Sequence, residues 1–232
     1  MTDWATISSL ATAGGTLVLA VATFASVRSA NRSARLAEFS LMETVRPVLI
    51  ASRDEDRAQQ VRFGDAVCLD VPGHGAAARD QDGVVYLAIA LRNAGAGVAV
   101  LHGWRARVSE DMVAPALLRR QMVGEESDRA AVPLDVRPEV GEFRRQQLDL
   151  YIPAGETGYW QGALRDPDEP GCAEVRSALA RQAPLWIDLL YSDYEGGQRT
   201  ILRVRLGERE GRGDGARVTV LRYWNLDRSD PR

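Results

Sequence analysis

Gly95 and Gly97 stand at the spacing of a phosphate-cradling loop. They lie in "RNAGAGVAVLHGW" (92–104), which follows the apolar run "VVYLAIAL" (84–91). In a dinucleotide site such a loop opens a helix, whose free backbone amides and dipole hold the pyrophosphate. That fingerprint asks for a third small residue, and Val100 occupies its place. The residues that follow, "VAVLHGWRARV" (98–108), alternate as a strand does and show no helical stripe. The stretch therefore reads as a tight connection between two strands. Gly95 and Gly97 are expected to supply positive φ, and Asn93 a side-chain hydrogen bond to the local backbone. No cofactor is expected.

The other reactive residue types are scarce. Cys68 and Cys172 are the two cysteines, and His74 and His102 the two histidines. None has C-x2-C or H-x3-H spacing, so no metal centre is expected. Cys68, inside "AVCLDV", reads as a buried free thiol, and its pairing with Cys172 stays open. His102 lies in a strand beside Trp104 and reads as packed or surface. His74 falls in the loop "PGHGAAARDQDG" (72–83), which reads as mobile. "DQDG" (80–83) and "SRDED" (52–56) lack the twelve-residue calcium pattern and read as hairpin and solvated loop. No Ser–His–Asp or Cys–His set can be assigned, so an enzyme is not expected, and a cryptic one is the remote alternative.

The bulk numbers agree. The net charge of −3 argues against a nucleic-acid binder. All 29 basic residues are Arg, which removes Schiff-base and P-loop lysine chemistry. Together with abundant Ala, Gly and Val, this is the codon bias of a GC-rich genome, and it weakens any reading of a single Arg.

A membrane element precedes the strands. Residues 7–27, "ISSLATAGGTLVLAVATFASV", carry no charge. At ~1.5 Å per residue they reach about 30 Å, the thickness of the hydrocarbon core. Trp4 stands just outside, where an interfacial aromatic belongs. A buried core helix would also be apolar, whereas a signal peptide would need a positive n-region, which "MTDW" lacks. Arg28, Arg32 and Arg35 follow the span, and the positive-inside rule places that end in the cytoplasm. Residues 28–45 continue as a helical stalk until Pro47. In it Ala30, Ala34, Ala37 and Leu41 form a short coiled-coil-like seam. The step from Val27 to Ala30 breaks the phase, so one uninterrupted coil is not expected. With Gly14 and Gly15 in the span, the seam suits weak self-association; a stalk packing on its own domain carries the same pattern.

Residues 46–232 read as strands separated by turn chemistry. Nine candidates occur at 48–52, 66–71, 84–93, 98–108, 145–152, 158–164, 185–192, 200–207 and 217–224. "CAEVRSALARQA" (172–183) reads as one short helix, and 109–131 as a second helix or an ordered loop. "EREGRGDGAR" (208–217) reads as a polar hairpin loop. Expected core residues are Tyr86, Ile89, Leu91, Val100, Trp104, Leu148, Leu150, Trp160, Trp186, Leu189 and Val204. With no βαβ rhythm, the expectation is an antiparallel sandwich.

A resemblance refines this. "LRNAGAGVAV", "IPAGETGYW" and "LLYSDYEGGQRTILRV", after a span, a stalk and "VRPVL", resemble single-pass actinobacterial membrane proteins with an Ig-like sandwich. Val98 departs from the small residue usual after the second Gly. The resemblance implies a mainly β fold: a transmembrane helix (1–27), a stalk (28–45) and an antiparallel Ig-like β-sandwich (46–232) with one or two short helices. It implies no reaction. Two function classes follow: a membrane-tethered cytoplasmic interaction module, or a ligand-sensing sandwich that signals through the stalk. The expected partners are the lipid bilayer, a protein, and a second copy held weakly; nucleic acid is not among them. A large pocket with convergent polar groups favours sensing, and an exposed apolar patch or open edge favours the module.

Overall fold

A computed structural model describes residues 3–108, 136–169, 171–209 and 214–227. The segment expected as a second helix or loop, 109–131, lies outside the described residues, as does the middle of the 208–217 loop. The chain divides after Thr44 into two compact units.

The first unit is a single helix, α1 (Trp4–Thr44), of 41 residues. At ~1.5 Å per residue it is about 60 Å long. It is long and apolar enough to cross a membrane. Three threonines in its apolar part satisfy themselves: Thr12, Thr16 and Thr23 each donate the hydroxyl to the carbonyl four residues earlier, at 2.9, 2.8 and 2.8 Å. That bond removes most of the cost of a hydroxyl in hydrocarbon.

The second unit is mainly β. Its strands are β1 (Leu49–Ala51), β2 (Gln59–Arg62), β3 (Cys68–Val71), β4 (Gly75–Gln81), β5 (Val84–Asn93) and β6 (Ala99–Val108). After a 3-10 turn at Val140–Glu142 come β7 (Arg144–Ile152), β8 (Thr157–Leu164), the helix α2 (Cys172–Ala180), β9 (Leu185–Ser192), β10 (Thr200–Arg209) and β11 (Gly215–Asn225). Every pairing is antiparallel.

Nine of these strands form one sheet in the order β1-β5-β4-β11-β10-β9-β6-β7, with β8 on the other edge of β5. β5 explains the arrangement. Along one edge it pairs with β8, from Val85↔Leu164 to Arg92↔Thr157. Along the other it pairs first with β4 and then with β1. The sheet curls, so its two ends, β7 and β8, come to lie side by side. Where two separate sheets were expected, β4 and β11 join the halves through three register positions.

β5 and β9 are buried on both faces, which is why their sequences run apolar without alternation. Val85, Leu87, Ile89 and Leu91 of β5 meet Leu185, Ile187, Leu189 and Tyr191 of β9 in the main core. Tyr86, Ala88 and Ala90 face the other way, onto the β2–β3 hairpin through Val61, Phe63, Leu69 and Val71. α2 packs Cys172, Val175, Ala178 and Leu179 into the main core.

Several expectations need correction. β2 and β4 were not anticipated. "GAAARDQ" carries weak β propensity, yet β4 sits between β5 and β11, where Ala76, Ala77 and Ala78 are buried. The loop expected at 72–83 is mostly strand β4; His74 lies in the turn before it, with its Nδ1 3.0 Å from the Ser52 carbonyl. Leu148, expected in the core, is 59% exposed. Cys68 and Cys172 are both free, and Cys68 is only half-buried.

Candidate functional site

The glycine turn is a clasp. Asn93 is fully buried, and its carboxamide makes four hydrogen bonds. Its Oδ1 accepts from the backbone N–H of Val48 (3.1 Å) and Gly95 (3.0 Å). Its Nδ2 donates to the carbonyls of Gly97 (2.6 Å) and Ile152 (2.9 Å). The backbone adds Ala94 N–H to Val48 O at 2.8 Å and Ala96 N–H to Arg46 O at 3.2 Å. One side chain thus ties residues 46–48, the turn and the end of β7 together.

The reason for glycine differs from the expected one. Gly95 and Gly97 are not among the residues at positive φ. They are small because backbone passes over them. A Cβ on Gly95 would meet Arg46 O and Val48 N, and one on Gly97 would meet Val45 O. No helix opens here, since β6 follows. Every polar atom of the Asn93 carboxamide is already engaged within the fold.

His102 approaches a serine on the neighbouring strand β9. Its Nε2 lies 2.6 Å from Ser192 Oγ. Ser192 is fully buried and donates its own proton to the Asp193 carbonyl at 2.6 Å. While the Ser192 proton is held by that carbonyl, the imidazole can bond the hydroxyl only as a donor. Burial lowers the His102 pKa, and Asp149 and Asp193 act against it.

A second buried cluster is likewise complete. Arg203 lies between the rings of Trp186 and Trp224, at 5.3 and 4.7 Å, and bonds Asp188 at 2.6 and 3.0 Å. Arg105 Nε reaches the same carboxylate at 2.6 Å. A buried charge held by this many partners is structural.

The seam between β7 and β8 is different. Between β6 and β7 the register jumps from Leu101↔Leu150 to Gly103↔Arg145. Gln146 to Asp149 therefore stand opposite His102 alone. This bulge lifts Leu148 into solvent. Across the seam no strand ladder forms. Gln146 bridges it instead, donating Nε2 to Gln161 O at 3.0 Å and accepting from Trp160 Nε1 at 3.2 Å. A cleft of about 270 Å³ remains, lined by Phe63, Trp104, Arg144, Arg145, Gln161 and Arg165 among others.

Two residues that line this cleft each carry a buried polar atom with no partner among the described residues: Arg144 (Nη1) and Gln161 (Oε1). Arg144 stacks on Trp104, its guanidinium carbon 4.9 Å from the ring centre, and pairs with Glu169 through Nη2. Arg165 pairs with Asp65, which also accepts from the Tyr86 hydroxyl. The Arg165 bond, then the Tyr86 bond, holds the Asp65 carboxyl down at about 2. Burial, then the Asp65 bond, pushes the Tyr86 hydroxyl up.

The expected membrane-flanking and self-association residues lie on α1. Trp4 and Leu41 are exposed, as are Gly14, Gly15, Ala30, Ala34 and Ala37. At about 100° per residue, Arg28, Arg32 and Arg35 fall within one arc of roughly 60°. By the same count Ala30, Ala34, Ala37 and Leu41 occupy an arc centred about 160° away.

The seam residues were not singled out by sequence. The signal available was "FRRQQLDLYI", in which polar residues occupy both faces of a strand, the mark of an edge. No group of metal-binding side chains occurs among the described residues. Comparison with known proteins finds no matching family model, curated protein or solved structure.

Proposed function

We propose that the chain is a membrane-tethered cytoplasmic interaction module. In this reading α1 crosses the inner (plasma) membrane with its N-terminus outside, Trp4 at the outer interface and Arg28, Arg32 and Arg35 at the inner one. The β domain then works in the cytoplasm as an Ig-like sandwich of the actinobacterial single-pass type. Antiparallel strands enclosing one core, after a single apolar helix, support that reading.

The observation that carries the proposal is the bulged edge strand β7. Leu148 and Tyr151 stand exposed on it, and the Tyr194 ring lies 6.5 Å from that of Tyr151. Exposed aromatic and aliphatic side chains on an unpaired strand edge are what a protein partner buries. A photo-crosslinking residue at Leu148 should yield a protein adduct in native membranes, and one at exposed Arg217 on β11 should not. Equal yields at both positions, or none at Leu148, defeat the proposal. Orientation is tested separately: a C-terminal epitope should survive protease on intact spheroplasts.

Self-association belongs to the same proposal. The Ala30–Leu41 seam faces away from the three arginines, so two copies can approach without opposing like charges. Cysteine at Ala34 or Leu41 should crosslink in membranes, whereas the β domain alone should sediment as a monomer. Ligand sensing through the stalk is the second reading, favoured by the β7–β8 cleft with its unpartnered polar atoms.

A further inference from the structure

We infer that the β7–β8 cleft is a binding site for a small carboxylate that carries a hydrogen-bond donor beside its charge. The inference needs neither the membrane orientation nor the partner proposed above.

It starts from what is left unpaired. Gln161 is 8% exposed, and its Oε1 finds no partner among the described residues. A buried amide oxygen without a donor is costly, and folds rarely retain one without a reason. Arg144 adds an unpartnered Nη1 at the same cleft, held in place by the Trp104 ring and by Glu169 on its other nitrogen. The guanidinium is therefore held in place before any ligand arrives, which lowers the ordering cost of binding.

Charge narrows the class. Of the three arginines lining the cleft, Arg144 is neutralised by Glu169 and Arg165 by Asp65. Arg145 has no ion pair among the described residues. The cleft therefore carries one uncompensated positive charge, which suits a singly charged anion better than a phosphate dianion. The planar guanidinium fork matches a carboxylate. Gln161 Oε1 asks for an N–H or O–H, which a bare oxyanion lacks. The volume of about 270 Å³ equals the liquid share of about nine waters, enough for a small amino acid or one acidic side chain with its backbone.

The same chemistry comes from two sources: a free amino or hydroxy acid, or an acidic residue of a protein segment. The test titrates the full-length chain in non-ionic detergent with L-glutamate and, separately, with acetyl-Ala-Glu-Ala-amide. Trp104 lines the cleft, so tryptophan fluorescence reports occupancy. The controls are acetate, the peptide with Gln in place of Glu, and sulfate. A saturable change is expected with at least one glutamate probe and with none of the controls. Response to free glutamate alone identifies a soluble ligand; response to the peptide alone identifies a protein side chain.

Arg145→Gln and Gln161→Leu should each weaken that binding at least tenfold while keeping the wild-type melting midpoint within a few degrees. Absence of saturation with both glutamate probes overturns the inference. So does sulfate binding as well as they do, or undiminished affinity in the two variants. Should Gln161→Leu fail to fold, Arg145→Gln alone decides, because its side chain is exposed and supports no packing.

Discussion

Asn93 and Gln161 are both buried carboxamides on strands, and the fold treats them in opposite ways. Asn93 has four partners, drawn from β1's approach, its own turn and the end of β7. Gln161 lies on a strand whose neighbour across the seam offers no ladder, and its Oε1 is left alone. Around Asn93, backbone crowds in until only glycine fits; around Gln161, a cleft opens. A satisfied buried polar group holds a structure together, whereas an unsatisfied one indicates what the structure still lacks.

That contrast can be broken hardest at Gly97. A methyl group there would collide with the Val45 carbonyl, which is backbone and cannot rotate away. Gly97→Ala should cost about 3 kcal/mol or more in chemical denaturation of the β domain. Gly141→Ala, where a Cβ meets nothing within 4 Å, should stay within about 0.5 kcal/mol. If the two glycines behave alike, crowding is not what conserves the turn's shape.

Asn93→Ala is next. It strands four backbone groups at once, and the loss should be about 2–3 kcal/mol in the same measurement. Gln161→Leu is the opposing case. Removing a buried amide without partners should leave stability unchanged or raise it by about 1 kcal/mol. A loss comparable to that of Asn93→Ala would mean that both carboxamides are structural.

The smallest effect belongs to Asp65 beside the cleft. Its pKa is lowered in the folded chain, so its contribution is present above the ordinary carboxylate value and is lost as pH falls towards about 2. Denaturant midpoints measured from pH 5 downward should decline through the interval from about 4 to about 2. Asp65→Asn should flatten that part of the profile. An unchanged slope in the variant would assign the acid sensitivity elsewhere.

The sequence shows the strands whose burial is strongest. "VVYLAIALRN" and "LWIDLLYS" are apolar enough to need two covered faces, and β5 and β9 have them. β4 escapes because its alanines carry little strand signal of their own, and their burial between β5 and β11 is a tertiary property. The β4–β5 connection was legible even so: Asp82 and Gly83 both take positive φ, at 53° and 82°, as a two-residue hairpin turn demands. At the clasp, glycine and asparagine were legible as turn residues, but not the backbone lying over them, because residues 45–48 arrive from elsewhere in the chain. The cleft was the least legible part. It depends on a register jump that places Gln146 across from β8, and nothing local in "RRQQLD" announces which residue will be skipped. Leu148 was misread for the same cause.

The crowding over Gly95 and Gly97 also bears on how the lineage can change. Every single-base change that replaces glycine in a coding sequence introduces a residue with a Cβ, so neither position has a harmless neighbour in mutational space. Asn93 is held by four simultaneous bonds and is nearly as confined. Arg145, exposed at the cleft, is free to drift. Chains descended from the same ancestor should therefore share the Asn-x-Gly-x-Gly turn long after their clefts have diverged, and the residues at 145 and 161 would then tell which of them still take the same ligand.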